Sequence, residues 1–128
     1  MEKELLLLGR KKVLVRLAIP ELKEGGVVDP PAAKELDSLV ELFSVAANRR
    51  RLQMMVVLGS REAVKFTDLL RVGVNPKLVR DCLTPLIEMG LVLHREGGDY
   101  RLSKRGEVVV PLLTSWSAKL LKLGPEVA

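Results

Sequence analysis

Few side chains in this chain have the types and spacing that bond-breaking chemistry requires. There is one His (His94) and one Cys (Cys82). The sequence has no GxSxG, no glycine-rich phosphate cradle and no His/Cys cluster with metal-ligand spacing. The acidic residues are dispersed, with no pair placed as general acid and base. A small hydrolase or nuclease is therefore the weakest reading, and no metal or cofactor is expected. What the chain does carry is cationic and hydrogen-bonding. Arg49, Arg50 and Arg51 form a run, Lys77, Arg80, Asp81 and Thr84 recur at helical spacing, and His94, Arg95 and Arg101 follow. Ammonium and guanidinium groups bind phosphate, and a guanidinium fork also matches guanine O6 and N7. The chemistry these residues support is recognition of a polyanion.

The placement of charge agrees with this. The formal net charge is +5 and the sequence pI about 9.6. From Asn48 to Arg105 there are twelve Lys or Arg against six Asp or Glu, whereas the rest of the chain has nine against ten. The whole excess lies on one segment, which is better support for a polyanionic partner than the total. Several of these residues also have a plainer role open to them. The three arginines sit at a helix start, where the dipole disfavours cations, and are either backbone contacts or a solvated shoulder. His94 is either a phosphate contact or an ordinary surface-strand histidine. Cys82 suits a small semi-buried filler better than a redox sensor.

The elements that must position these groups lie between Phe66 and Ser103. Phe66, Leu69 and Leu70 recur at helical spacing, and Gly73 stands where a left-handed helix stop favours glycine. Asn75 then offers a side-chain oxygen as N-cap and Pro76 occupies the first helical position, so a second helix starts there. Val79, Leu83 and Leu86 lie on one face of it, with Lys77, Arg80, Asp81, Thr84 and Glu88 opposite. On a duplex partner, Arg80 would read bases, Asp81 would accept from cytosine N4, and the arginines at 49–51 would hold only backbone. After Gly90, LVLHRE and DYRLS flank Gly97-Gly98, whose freedom at positive φ suits a tight hairpin. The order is helix, turn, helix, two-stranded hairpin.

Upstream, the apolar runs Leu5 to Leu8 and Val13 to Ile19 flank GRKK and favour a β-hairpin over a helix. Arg10, Lys11 and Lys12 are then either a phosphate contact or a solvated turn, and the segment is a candidate for dimer contacts. Residues 23–33, with Gly-Gly and Pro-Pro, form a linker. Leu36, Leu39, Val40, Phe43 and Ala47 predict a helix from Lys34 to about Ala47. A next helix, with Leu52, Met55 and Val56 buried, stops near Gly59. Downstream, Ser103 caps a final helix interrupted at Pro111. Its Val109, Leu112, Leu113, Trp116, Leu120 and Leu123 either close the core or form a subunit interface.

With 128 residues the chain is most simply one domain. Hydrophobic residues are 48% but aromatics only 3%, so the core must be aliphatic. A lone Cys excludes an internal disulfide, no signal peptide is evident, and the Leu5 to Leu8 run is too short to span a bilayer. A soluble cytoplasmic protein is expected. One Gln and two Asn among many Lys, Arg and Glu suit a thermophile.

Two stretches carry a family resemblance. GVNPKLVRDCLTPLIEMGLV, from Gly73 to Val92, resembles the recognition-helix signature of HxlR-type winged-helix transcription regulators. YRLSKRGEVVVPLL, from Tyr100 to Leu113, is similar to the segment joining wing to final helix in that family, and RLQMMVVL resembles a helix of ArsR-type regulators. The cysteine that HxlR-type proteins often carry before their first core helix is absent, as is the metal-binding motif of ArsR sensors. Pro85 also lies inside the presumed recognition helix, where it removes a hydrogen bond and is expected to kink it. Within the HxlR/ArsR/MarR-like superfamily, the resemblance implies a mainly α fold with a small β-wing. Its expected parts are an N-terminal extension and linker (1–33), a winged helix-turn-helix (34–105) and a C-terminal dimerisation helix (106–128). It also implies a homodimer bound to double-stranded DNA, with Pro76, Lys77, Arg80, Asp81 and Thr84 towards the groove; any small-molecule effector is unspecified. The alternative is a winged-helix module that binds protein without reading bases.

Overall fold

A computed structural model describes residues 4–9, 12–18 and 30–123. The chain is mainly helical, with two small antiparallel sheets of two strands each. It packs as two units, Met1–Glu41 and Leu42–Ala128. In the first, β1 (Glu4–Gly9) pairs with β2 (Lys12–Ala18), Glu4 opposite Ala18 and Gly9 opposite Lys12, with a register shift between Leu7 and Leu8. This is the hairpin that the two apolar runs predict. Arg10, Lys11, residues 19–22 and linker residues 23–29 lie outside the described residues.

α1 (Ala33–Ala46) matches the expected helix, and the apolar stripe that predicts it is not the one that meets the core. Leu36, Leu39, Val40 and Phe43 are exposed. Ala46 is buried instead, and Leu42 and Val45 pack against the core. The two sets lie roughly a third of a turn apart at 3.6 residues per turn, so periodicity alone does not choose between them.

α2 (Arg49–Ser60) starts at Asn48, whose side-chain oxygen accepts from the Arg51 N–H at 3.1 Å. It buries Met54, Met55 and Leu58. Val56, expected inside, is exposed, and Leu52 is only partly covered. The true stripe is one residue out of step with the expected one, and both fit helical spacing. α3 (Phe66–Gly73) begins with Asp68 accepting from the Lys65 N–H at 3.1 Å and pairing with Arg61 at 3.2 Å. α4 (Pro76–Glu88) begins as expected, with Asn75 accepting from the Leu78 N–H at 2.9 Å and Pro76 in the first turn. Val79, Cys82, Leu83 and Leu86 of α4 are buried, so Cys82 is a core residue.

α4 continues through Pro85 to Glu88. The hydrogen bond that proline removes belongs to the carbonyl of Asp81, on the exposed face, where solvent can replace it. Gly90 then takes φ +72°, the Leu91 N–H donates to Leu86 at 3.0 Å and the Gly90 N–H to Ile87 at 2.9 Å. These paired bonds satisfy carbonyls of the last turn, and Leu86 and Leu91 are both buried in the core.

β3 (Val92–His94) and β4 (Tyr100–Leu102) pair with Val92 opposite Leu102 and His94 opposite Tyr100. Only Gly98 of the turn glycines has positive φ, at +88°. The Gly98 N–H donates to Arg95 at 2.9 Å and the Arg95 N–H to Asp99 at 2.8 Å. The loop is thus three residues long, with glycine needed at its last position. Val64 adds a one-residue rung to β4, exchanging two 2.8 Å bonds with Tyr100.

α5 (Lys104–Pro111) is capped by Ser103, which accepts from the Gly106 N–H at 3.0 Å and donates to the Gly90 carbonyl. A Cβ on Gly106 would stand 2.0 Å from the Leu91 carbonyl oxygen, so only glycine permits this approach. The α-helical ladder ends at Pro111, where an interruption is expected. A π-helical segment (Leu112–Trp116) carries the backbone on into α6 (Ser117–Leu121). The proline has no N–H to give, and the wider i→i+5 ladder that follows accommodates it. Val110 enters the core, while Leu112, Trp116, Leu120 and Leu123 remain exposed.

Candidate nucleic-acid interface

α4 separates its two kinds of side chain cleanly. Its apolar face is buried in the core, and Lys77, Arg80, Asp81 and Thr84 are all exposed on the other side. The Thr84 hydroxyl donates to the Arg80 carbonyl at 2.9 Å, which holds that side chain against its own helix. The Arg80 guanidinium lies over the Phe66 ring, 5.7 Å from its centroid, within the range of a cation–π contact. Phe66 in turn neighbours Tyr100 at 6.4 Å, and Tyr100 stacks on His94 at 4.2 Å with the rings 7° apart. Four side chains from α4, α3, β4 and β3 therefore follow one another as neighbours, with only the His94–Tyr100 pair stacked. Asn75 uses its side-chain oxygen as the α4 cap, leaving its amide N–H groups for other partners.

The arginine run has partners inside the protein. Arg50 Nη1 donates to the carbonyls of Val72 at 3.3 Å and Gly73 at 3.2 Å, the last turn of α3. Arg51 Nη1 donates to Val45 at 3.2 Å, in the last turn of α1, and its Nε is buried without a partner. Arg105 repeats the arrangement on α4, donating to Met89 at 3.1 Å. Three guanidinium groups thus sit on the negative ends of three helices. This gives a physical reason for cations at the start of α2, where the local dipole opposes them: the carbonyls they serve belong to other helices. Arg49 remains exposed.

The hairpin divides its residues by strand alternation. Val92, His94, Tyr100 and Leu102 share the inner face, whereas Leu93 and Arg101 share the outer one, and Arg95 follows Leu93. His94 and Arg101, grouped together on sequence, thus lie on opposite faces. Arg71, which sequence reasoning did not single out, is an exposed cation in the last turn of α3. Its only sequence signal was its position beside the turn.

Gly73 is not the left-handed residue of that turn. A Cβ there would meet Val79 Cγ2 at 2.4 Å and Met54 Cε at 2.9 Å, so the glycine serves the crossing of α2, α3 and α4. The positive φ falls on Val74, at +74°.

Among the described residues no group of three or more His, Cys, Asp or Glu stands together to hold a metal ion, and no helix is long and apolar enough to cross a membrane. No family model, no curated protein and no solved structure matches the chain.

Proposed function

We propose that the chain is a sequence-specific, double-stranded-DNA-binding transcription regulator of winged helix-turn-helix type, acting as a homodimer without a cofactor. α4 enters the major groove and the β3–β4 hairpin rests on the adjacent backbone. What supports this is the exposed face of α4. Lys77, Arg80, Asp81 and Thr84 stand on a helix whose other face is anchored by four buried side chains. A helix held so firmly from behind presents donors and an acceptor at fixed spacing, which base-edge readout needs. Asp81 would repel phosphate, so its place on this face fits contact with a base edge better than general charge attraction. Arg95 and Arg101 on the outer face of the hairpin supply backbone contacts.

Self-association accounts for the uncovered apolar side chains of the C-terminal helix. Leu112, Trp116 and Leu120 follow one another four residues apart and are exposed, Trp116 by 41%. The α1 stripe of Leu36, Leu39, Val40 and Phe43 is a second face of the same kind.

One observation favours a second reading, a winged-helix module that binds protein. Arg50, Arg51 and Arg105 are engaged with helix ends, which thins the free cationic surface. Incubation of the protein with fragmented DNA of the source genome, followed by sequencing of what is retained, separates the two. A recurring motif with two-fold related halves is expected. Retention without any shared sequence contradicts base readout, and no retention by folded protein favours the protein-binding module.

A further inference from the structure

Three of the described residues have φ in the left-handed region: Gly90, Gly98 and Val74. The first two are glycines, for which this conformation carries no steric penalty. Val74 is β-branched, the type for which it is most strained. It is also 72% exposed, so no packing inside the protein repays the strain. The surrounding turn is nonetheless fixed from several directions. Arg50 holds the carbonyls of Val72 and Gly73, the Val74 N–H donates to Leu70 at 2.9 Å, Gly73 is locked against Val79, and Asn75 caps α4. A strained residue persists where its surroundings over-determine it, and such residues cluster at functional sites. An exposed branched apolar side chain in a rigid turn immediately ahead of Asn75 and Lys77 stands beside the groups that read base edges. The major groove displays one apolar group at its base edges, the C5-methyl of thymine.

Building on the DNA-binding reading above, we infer that Val74 is a specificity-determining residue that packs its γ-methyl groups on a thymine C5-methyl in each half-site. The turn sets that contact in advance, since the side chain is largely exposed and the turn bearing it is held by Arg50. Val74 thereby adds an apolar position to a reading face that is otherwise polar.

The test uses the full chain and the duplex it selects from fragmented DNA. Each thymine in turn is replaced by deoxyuridine, which removes only the methyl group. With the native protein, one substitution per half-site should weaken binding about fourfold, the value of one buried methyl group. Val74→Ala, which removes the contact from both half-sites of the dimer, should bind the thymine duplex about sixteenfold more weakly and be indifferent to the same substitution. Val74→Gly, which suits the backbone conformation, should behave likewise and serves if the alanine variant folds poorly. Native protein that discriminates its duplex from random DNA yet ignores every uracil substitution overturns this assignment and leaves the DNA-binding reading standing. A Val74→Ala protein that still senses the methyl group also overturns it. Native protein with no preference for any duplex defeats both.

Discussion

The Arg50 guanidinium, at the start of α2, donates to the carbonyl of Gly73 at 3.2 Å, twenty-three residues further along the chain. This bond ties the helix at the centre of the core to the turn that presents α4. A second bond from the same Nη1, to the carbonyl of Val72 at 3.3 Å, spreads the contact over two neighbouring residues. A single guanidinium nitrogen serves both carbonyls, and the guanidinium is more weakly hydrated than the compact lysine ammonium, so it is held against them at less cost.

Arg50→Ala should therefore lower stability by about 1–2 kcal/mol, the scale of hydrogen bonds to a charged group reduced for partial exposure. Arg50→Lys should recover only part of that. Urea unfolding followed by circular dichroism measures both. An alanine variant as stable as the native protein would show the contact to be incidental. Duplex affinity measured alongside should fall more on the selected duplex than on random DNA, because Arg50 holds the turn that carries Val74.

Gly73→Ala sets two effects against each other. Alanine gains about 1 kcal/mol of helix propensity over glycine. The new Cβ, however, would stand 2.4 Å from Val79 Cγ2 and 2.9 Å from Met54 Cε. Forcing extra carbon into a packed site costs about 1–3 kcal/mol. The clash should win, giving a lower urea midpoint; a raised midpoint would mean that α3 and α4 are not so closely apposed.

Much of this was legible in the sequence because it rests on local chemistry. Asn75-Pro76 marks the start of α4 whatever surrounds it, and Ser103 marks the start of α5. The exposed set on α4 also followed from helical spacing. What escaped was decided by tertiary contact. On α1 two apolar stripes fit the same period, and only the packed core shows that Ala46, Leu42 and Val45 face inward. The partners of Arg50, Arg51 and Arg105 are carbonyls of other helices, which side-chain types do not reveal. Gly73 looked like a turn glycine, yet the need to let three helices meet moved the left-handed position to Val74.

Trp116→Ala combined with Leu120→Ala should weaken self-association at least about tenfold, since large exposed apolar groups on one stripe are the type that dominates interfaces. Light scattering should give a dimer mass for the native protein at micromolar concentration and a monomer mass for the double variant. Trp116 is the sole tryptophan, so its emission should shift to the red as the native dimer is diluted apart. A native monomer, or a dimer indifferent to both substitutions, contradicts this interface.

Arg80→Ala should cost about 1–3 kcal/mol on the selected duplex and relax preference at one base pair. Equal losses on selected and random duplex would reassign Arg80 to backbone contact. Phe66→Leu provides a control on the cation–π contact, 5.7 Å in length. It keeps the apolar volume but removes the ring face, and a smaller loss of the same base preference is expected.

Double-stranded DNA binding by the native protein, titrated across salt concentration, tests the central claim most directly. Lys and Arg contacts release counterions from the phosphates, so the logarithm of the association constant should fall linearly with the logarithm of salt. The slope should be several units, and affinity should be highest at low ionic strength. Folded protein with no affinity for duplex even at low ionic strength would contradict the account and point to a protein partner.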